Sequence, residues 1–202
     1  MKGRIVTTRR QFIETSVVLA AWPSAAFVAT RAVASTPTLS LERFVFDSRF
    51  AAAAEVAKHV ADRGVPLSAI AGDVTDLWYH ELDLRWKRAS QPLAGITTRP
   101  GLFVLETLAA DHRMRVVYRG LHRAAVDGRV SHVLAGPDEL LARLGEDVRG
   151  FGWTALGAAL VECPATARLS ATCAITSAAA PAPRSEEPLV SWIIAPRSAT
   201  KS

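Results

Sequence analysis

From Arg43 onward the chain alternates between short β-branched or aromatic runs and longer stretches with apolar residues at helical spacing. That alternation is the tightest constraint on its fold. Arg43-Phe44-Val45-Phe46 reads as a first strand, and Asp47 or Ser48 is placed to cap the next helix. That helix sets Phe50, Ala53, Val56, Ala57 and Val60 on one face and closes at Gly64. Residues 65–70 read as a second strand. Asp73 suits the N-cap of a helix running to about Lys87, residues 93–97 form a third strand, and Pro100 opens a helix to about His112. Strands separated by helices imply right-handed parallel crossovers.

The pattern changes after His112. Residues 114–121 and 130–135 flank the turn Val126-Asp127-Gly128-Arg129 and read as an antiparallel hairpin. Pro137, Asp138 and Glu139 then open a helix through Val148, and Trp153, Leu156, Leu160 and Val161 mark another, stopped by Pro164. Residues 169–176 and 189–195 are β-like. The Ala/Pro/Ser/Glu stretch at 177–188 joins them as a flexible loop, so the region after Pro164 reads as an appendage tied down by sheet pairing. The fold expected is α/β: one layered domain over residues 35–202, with a mixed, partly parallel sheet and an antiparallel hairpin.

Residues 1–34 stand apart. Thr8-Arg9-Arg10-Gln11-Phe12-Ile13 precedes a modest apolar run, Val17 to Val28, followed by Arg31 and the triplet Ala32-Val33-Ala34. This is the layout of a cleaved secretory leader. The adjacent Arg9 and Arg10 resemble a twin-arginine export signal, with a departure at Glu14 where Lys is common. The resemblance implies cleavage near Ala34, a periplasmic or secreted mature protein, and a precursor that meets the twin-arginine export machinery. The alternative is an uncleaved anchor, but Glu14, Pro23 and Arg31 interrupt the stretch short of about 20 apolar residues. The leader carries +4 of the chain's +5, leaving +1 for residues 35–202. No basic face for nucleic acid is therefore expected in the mature part.

The sequence has no G-x-S-x-G elbow, P-loop, G-x-G-x-x-G, H-E-x-x-H or C-x-x-C, and no cofactor or metal is assigned. The remaining argument is topological, since ligands of open parallel sheets bind beyond the strand C-termini. Three such ends carry polar residues: Asp47 and Ser48, Asp73, and Thr97, Thr98 and Arg99. If the strands are parallel neighbours, these converge on one edge, where Arg99 and a helix N-terminus would receive a carboxylate or phosphate. Helix capping explains Asp47, Ser48, Asp73 and Thr98 equally well.

Trp78, Tyr79, His80 and Trp86 form the densest aromatic group. Trp78 and Leu82 share a helix face, as do Tyr79 and Trp86. His122 and His132 lie on facing hairpin strands. A two-residue turn leaves them on opposite faces, whereas a loop one residue longer pairs them directly. Only the second register brings the imidazoles together. Cys163 and Cys173, ten residues apart in an oxidising compartment, are candidates for a local disulfide or for two buried thiols.

Three functions follow. The first is a non-catalytic exported protein, an accessory subunit or ligand-binding partner of a co-exported enzyme; the twin-arginine resemblance implies a folded cargo that is often redox machinery. The second is a small enzyme acting on an anionic molecule, with Asp47 or Asp73 as general base and Arg99 as clamp. A third is a purely structural envelope protein.

Overall fold

The structure is a computed structural model that describes residues 37–125, 127–177 and 187–197. Residues 1–36, with the expected export signal at Arg9 and Arg10, and residues 178–186 of the expected loop lie outside the described residues. The sequence pattern becomes β1 (Arg43–Asp47), α1 (Ala51–Ala61), β2 (Leu67–Ile70), a helix α2 over residues 75–86, β3 (Leu93–Thr98), α3 (Arg99–Asp111), β4 (Met114–Ala124), β5 (Val130–Gly136), α4 (Asp138–Phe151), α5 (Trp153–Val161), β6 (Ala171–Ser177) and β7 (Leu189–Pro196). One mixed seven-stranded sheet results, ordered β2-β1-β3-β7-β4-β5-β6. β1 pairs in parallel with β2 and β3, and every other pairing is antiparallel.

Helices cover both faces unequally. On one face α1, α4 and α5 contribute Val56, Val60, Leu140, Leu144, Leu156 and Leu160 to a core with Phe44, Ile96, Leu134 and Ile193. On the other, α2 and α3 pack Leu77, Trp78, Leu82, Trp86, Leu102 and Leu105 against Val45, Leu93, Val190, Trp192 and Ile194. No residue of β5 or β6 belongs to the second core, so among the described residues no helix covers that end of the sheet on this face.

β7 corrects the appendage reading. It lies between β3 and β4 at the centre of the sheet, and Leu189 through Ala195 are all buried. Its Trp192 spreads over Gly95 of β3, where a Cβ would come within 2.5 Å of Trp192 Cζ2 and closer still to the Val45 carbonyl. The indole Nε1–H donates to Thr97 Oγ1 at 3.0 Å. β6 is the outer strand, beside β5.

α2 is one helix with a π-helical turn at Trp78–Leu82, closed by the Asp83 N–H donating to Trp78 O. Trp78, Leu82 and Trp86 all turn inward, with the Trp78 and Trp86 rings edge-to-face at 5.9 Å. The extra residue separates two side chains that regular spacing would align: Tyr79 is 66% exposed, while Trp86 is 3% exposed. The expected shared face of Tyr79 and Trp86 therefore does not form.

Candidate functional site

The three strand ends meet as the topology required, for β2, β1 and β3 are parallel neighbours. Their polar residues, however, do not face a common cavity. Asp47 is fully buried and takes Arg49 Nε at 2.9 Å, Arg49 Nη2 at 2.7 Å and the Arg49 N–H at 3.2 Å. Gly72 lies directly beneath that guanidinium. Ser48 Oγ donates to Ile70 O at 2.9 Å and so ties β1 to β2. Asp73 accepts from the Thr75 hydroxyl and N–H, and those bonds lower its carboxyl pKa. Thr97 is in the core beneath Trp192. Thr98 is the N-cap residue of α3 without a side-chain capping bond. Arg99 lines one surface depression, with Leu102, Phe103, Glu106, Arg119, Leu121 and Val190, of about 240 Å³, and Asp73 lines a different groove, along β2.

The hairpin holds a polar chain that local sequence patterns did not assign. The Ala124↔Val130 pairing closes a five-residue loop, so His122 and His132 face each other directly. Their Nδ1 atoms are 2.7 Å apart. His122 Nε2 is 2.7 Å from Ser191 Oγ, His132 Nε2 is 2.9 Å from Ser177 Oγ, and Tyr118 OH is 3.2 Å from Ser191 Oγ. All five residues are essentially inaccessible, none above 2% exposure. Gly120 makes the assembly fit, since a Cβ there would lie 2.6 Å from Ser191 Oγ and 2.7 Å from Tyr118 OH.

Two neutral imidazoles can share this arrangement in either direction. In one, Tyr118 donates to Ser191, Ser191 to His122 Nε2, His122 Nδ1–H to His132 Nδ1, and His132 Nε2–H to Ser177; the other reverses every bond. Burial, reinforced by the neighbouring His132, holds His122 well below its usual pKa. Burial alone pushes His132 down to about 4. The order Ser191, His122, His132 also matches nucleophile, base and orienting group. Ser191 is sealed within β7, and neither surface cavity described here reaches it. The cluster satisfies buried polar groups contributed by four strands.

No family model, curated protein or solved structure matches this chain. The function must therefore come from its own surface.

Two surfaces offer themselves. A groove of about 480 Å³ runs along β2 and beneath α2. At the opposite end of the sheet, the uncovered face of β4, β5 and β6 forms three cross-strand rows: Arg119, Ala135 and Thr172; Leu121, Val133 and Ala174; Arg123, Ser131 and Thr176. All nine are exposed or half-buried. Phe103 of α3, 69% exposed, extends the central apolar row. Cys163 and Cys173 are both free thiols, Cys163 buried and Cys173 partly so. Burial pushes the Cys163 thiol up to about 12. Among the described residues no group of three or more His, Cys, Asp or Glu is placed to hold a metal, and no helix is long and apolar enough to cross a membrane.

Proposed function

We propose that the chain is an exported, non-catalytic accessory protein that docks a co-exported partner on the open face of β4, β5 and β6. The observation that carries this reading is the sheet end that no described helix covers on this face, where Val133, Ala174 and Phe103, beside the half-buried Leu121, present apolar surface that elsewhere in the sheet lies under helices. Among the described residues Arg99 and Arg123 have no ion-pair partner, whereas Arg119 is paired with Glu106. The rim is basic, so the complementary surface is apolar at its centre with carboxylates around it. The leader supports export and a folded cargo. The enzyme reading needs Asp47 or Asp73 as base, yet Asp47 is engaged by Arg49 and Asp73 by Thr75.

Purification from the periplasm under mild conditions, with mass spectrometry of what accompanies the protein, tests the reading. Val133→Arg puts a charge into the middle row at an exposed position, and should shift stability by no more than about 0.5 kcal/mol. A stoichiometric partner that comes with wild type and is lost from Val133→Arg is the expected result. A partner retained by Val133→Arg and by Leu121→Lys, or no partner at all, would overturn it.

A further inference from the structure

The groove at the other end of the sheet is independent of the open face, because β2 and β6 are its opposite edges. It is lined by five consecutive residues, Leu67 to Ala71, and by Asp73, Asp76, Leu77, His80 and Glu81 from the loop and helix that overhang it, with Arg43 on its floor. Five residues of extended chain measure about 16 Å. The backbone orientation of β2 follows from its bonds to β1. Phe44 N–H donates to Pro66 O and Ser48 N–H to Ile70 O. Strand alternation then turns the N–H and C=O groups of Leu67 and Ala69 away from β1, toward the edge that no described strand pairs. The Leu67 carbonyl also accepts from Arg43 Nη1 at 3.5 Å.

The groove's charge is equally specific. Arg43 Nη1 reaches Ser68 Oγ at 2.7 Å and Glu81 at 3.0 Å, so that cation and that carboxylate neutralise each other. Arg43 Nε is buried with no partner among the described residues, a state that native interiors seldom leave to a polar group. Asp73 and Asp76 remain on the rim with no cation paired to them among the described residues. The π-turn of α2 sets His80 and Glu81 over the strand, and such turns occur frequently at functional sites.

We infer that this groove binds an extended, lysine- or arginine-bearing peptide segment of another protein, which adds a strand to the free edge of β2. The segment's backbone pairs with the Leu67 N–H and with Ala69, and its basic side chains meet Asp73 and Asp76. A free edge supplies donors and acceptors in a line, which a small cation would leave unused. The acidic rim selects a basic segment over an acidic one.

The test is fluorescence anisotropy with the full-length protein and a labelled acetyl-Lys-Val-Lys-Val-Lys-Val-amide peptide. Saturable binding is expected, weakening as salt rises from about 20 to about 150 mM. Asp73→Asn with Asp76→Asn should weaken it by about tenfold or more; asparagine retains the oxygen that Thr75 uses, so the loop keeps its bonds. N-methylating the peptide amides that face β2 should abolish binding, and Val133→Arg should leave it unchanged. Four results would overturn the inference: no saturable binding, binding unaffected by the double substitution, binding unaffected by N-methylation, or competition by lysine amide alone at equal concentration. The last would identify a small-cation site.

Discussion

At the scale of single residues, the informative group is the buried imidazole pair. Two titratable side chains sit where no charge is tolerated, and each is kept neutral by burial. Their folded pKa values lie below the unfolded value near 6.5, so the unfolded chain binds more protons in acid. Stability is complete above about pH 6.5 and falls as pH drops toward the folded values. For His132, a pKa of about 4 makes the loss on the order of 2 kcal/mol by pH 5, with His122 adding to it. Urea midpoints between pH 7 and pH 5 should therefore fall steeply in wild type. A His122→Gln/His132→Gln variant, less stable at pH 7, should lose most of that slope; a flat wild-type profile would contradict the account. Only half of this was legible in the sequence. The ten-residue spacing put both histidines on facing strands, but Asp127-Gly128 is compatible with either register. The Ala124↔Val130 pairing decides that they meet. Ser177, Ser191 and Tyr118 come from two more strands and the same hairpin, so no local window holds them together. Gly120, a glycine inside a strand, was the one local sign of a close approach.

At the scale of elements, each strand and helix was legible to within a few residues because periodicity and caps are local properties. The position of the last strand was not. Leu189 to Ala195 carries apolar residues on both of its faces, broken only by Ser191, and such a run belongs at the centre of a sheet. Its partners, β3 and β4, precede it by about ninety and seventy residues, and no local rule specifies that insertion. The seam depends on Gly95. Gly95→Ala must push either the Trp192 indole or the β1 backbone, and should destabilise the protein by about 2 kcal/mol or more. Gly145→Ala in α4 is the contrasting case. Its Cβ would meet nothing nearer than 3.8 Å, so removing a helical glycine should raise stability by about 0.5–1 kcal/mol. Thermal melts of the two variants should move in opposite directions, and a neutral Gly95→Ala would mean that Trp192 does not lie across β3. α2 shows the same limit on a smaller scale: its heptad-spaced Tyr79 and Trp86 suggested a shared face, and one π-turn separated them.

At the scale of the whole molecule, the parallel half of the sheet is enclosed between helices, and among the described residues the β5–β6 end is covered on one side only. The alternation of elements revealed the mixed sheet, because crossovers and a hairpin each imply their own pairing. It did not reveal the open end, which depends on how far α2 and α3 extend across the sheet. Pro37 and Leu39 hold the start of the described chain, through Ala165 N–H to Pro37 O at 2.8 Å and Leu39 N–H to Cys163 O at 2.8 Å. The Ala32-Val33-Ala34 triplet precedes these bonds, so cleavage after Ala34 leaves both tethers in the mature chain. If the leader is cleaved there, the mature protein begins at or near Ser35 and should melt at the same temperature as the precursor, which N-terminal sequencing and a thermal scan would check. Export should depend on the arginine pair, because a twin-arginine signal is read through those two side chains. Arg9→Lys with Arg10→Lys keeps the charge and the hydropathy of the leader and removes the paired guanidinium groups. Fractionation of cells expressing this variant should find uncleaved precursor in the cytoplasm. Mature protein in the periplasm of the same cells would show that another route carries it, and with that the expectation of a folded, co-exported partner would lose its support.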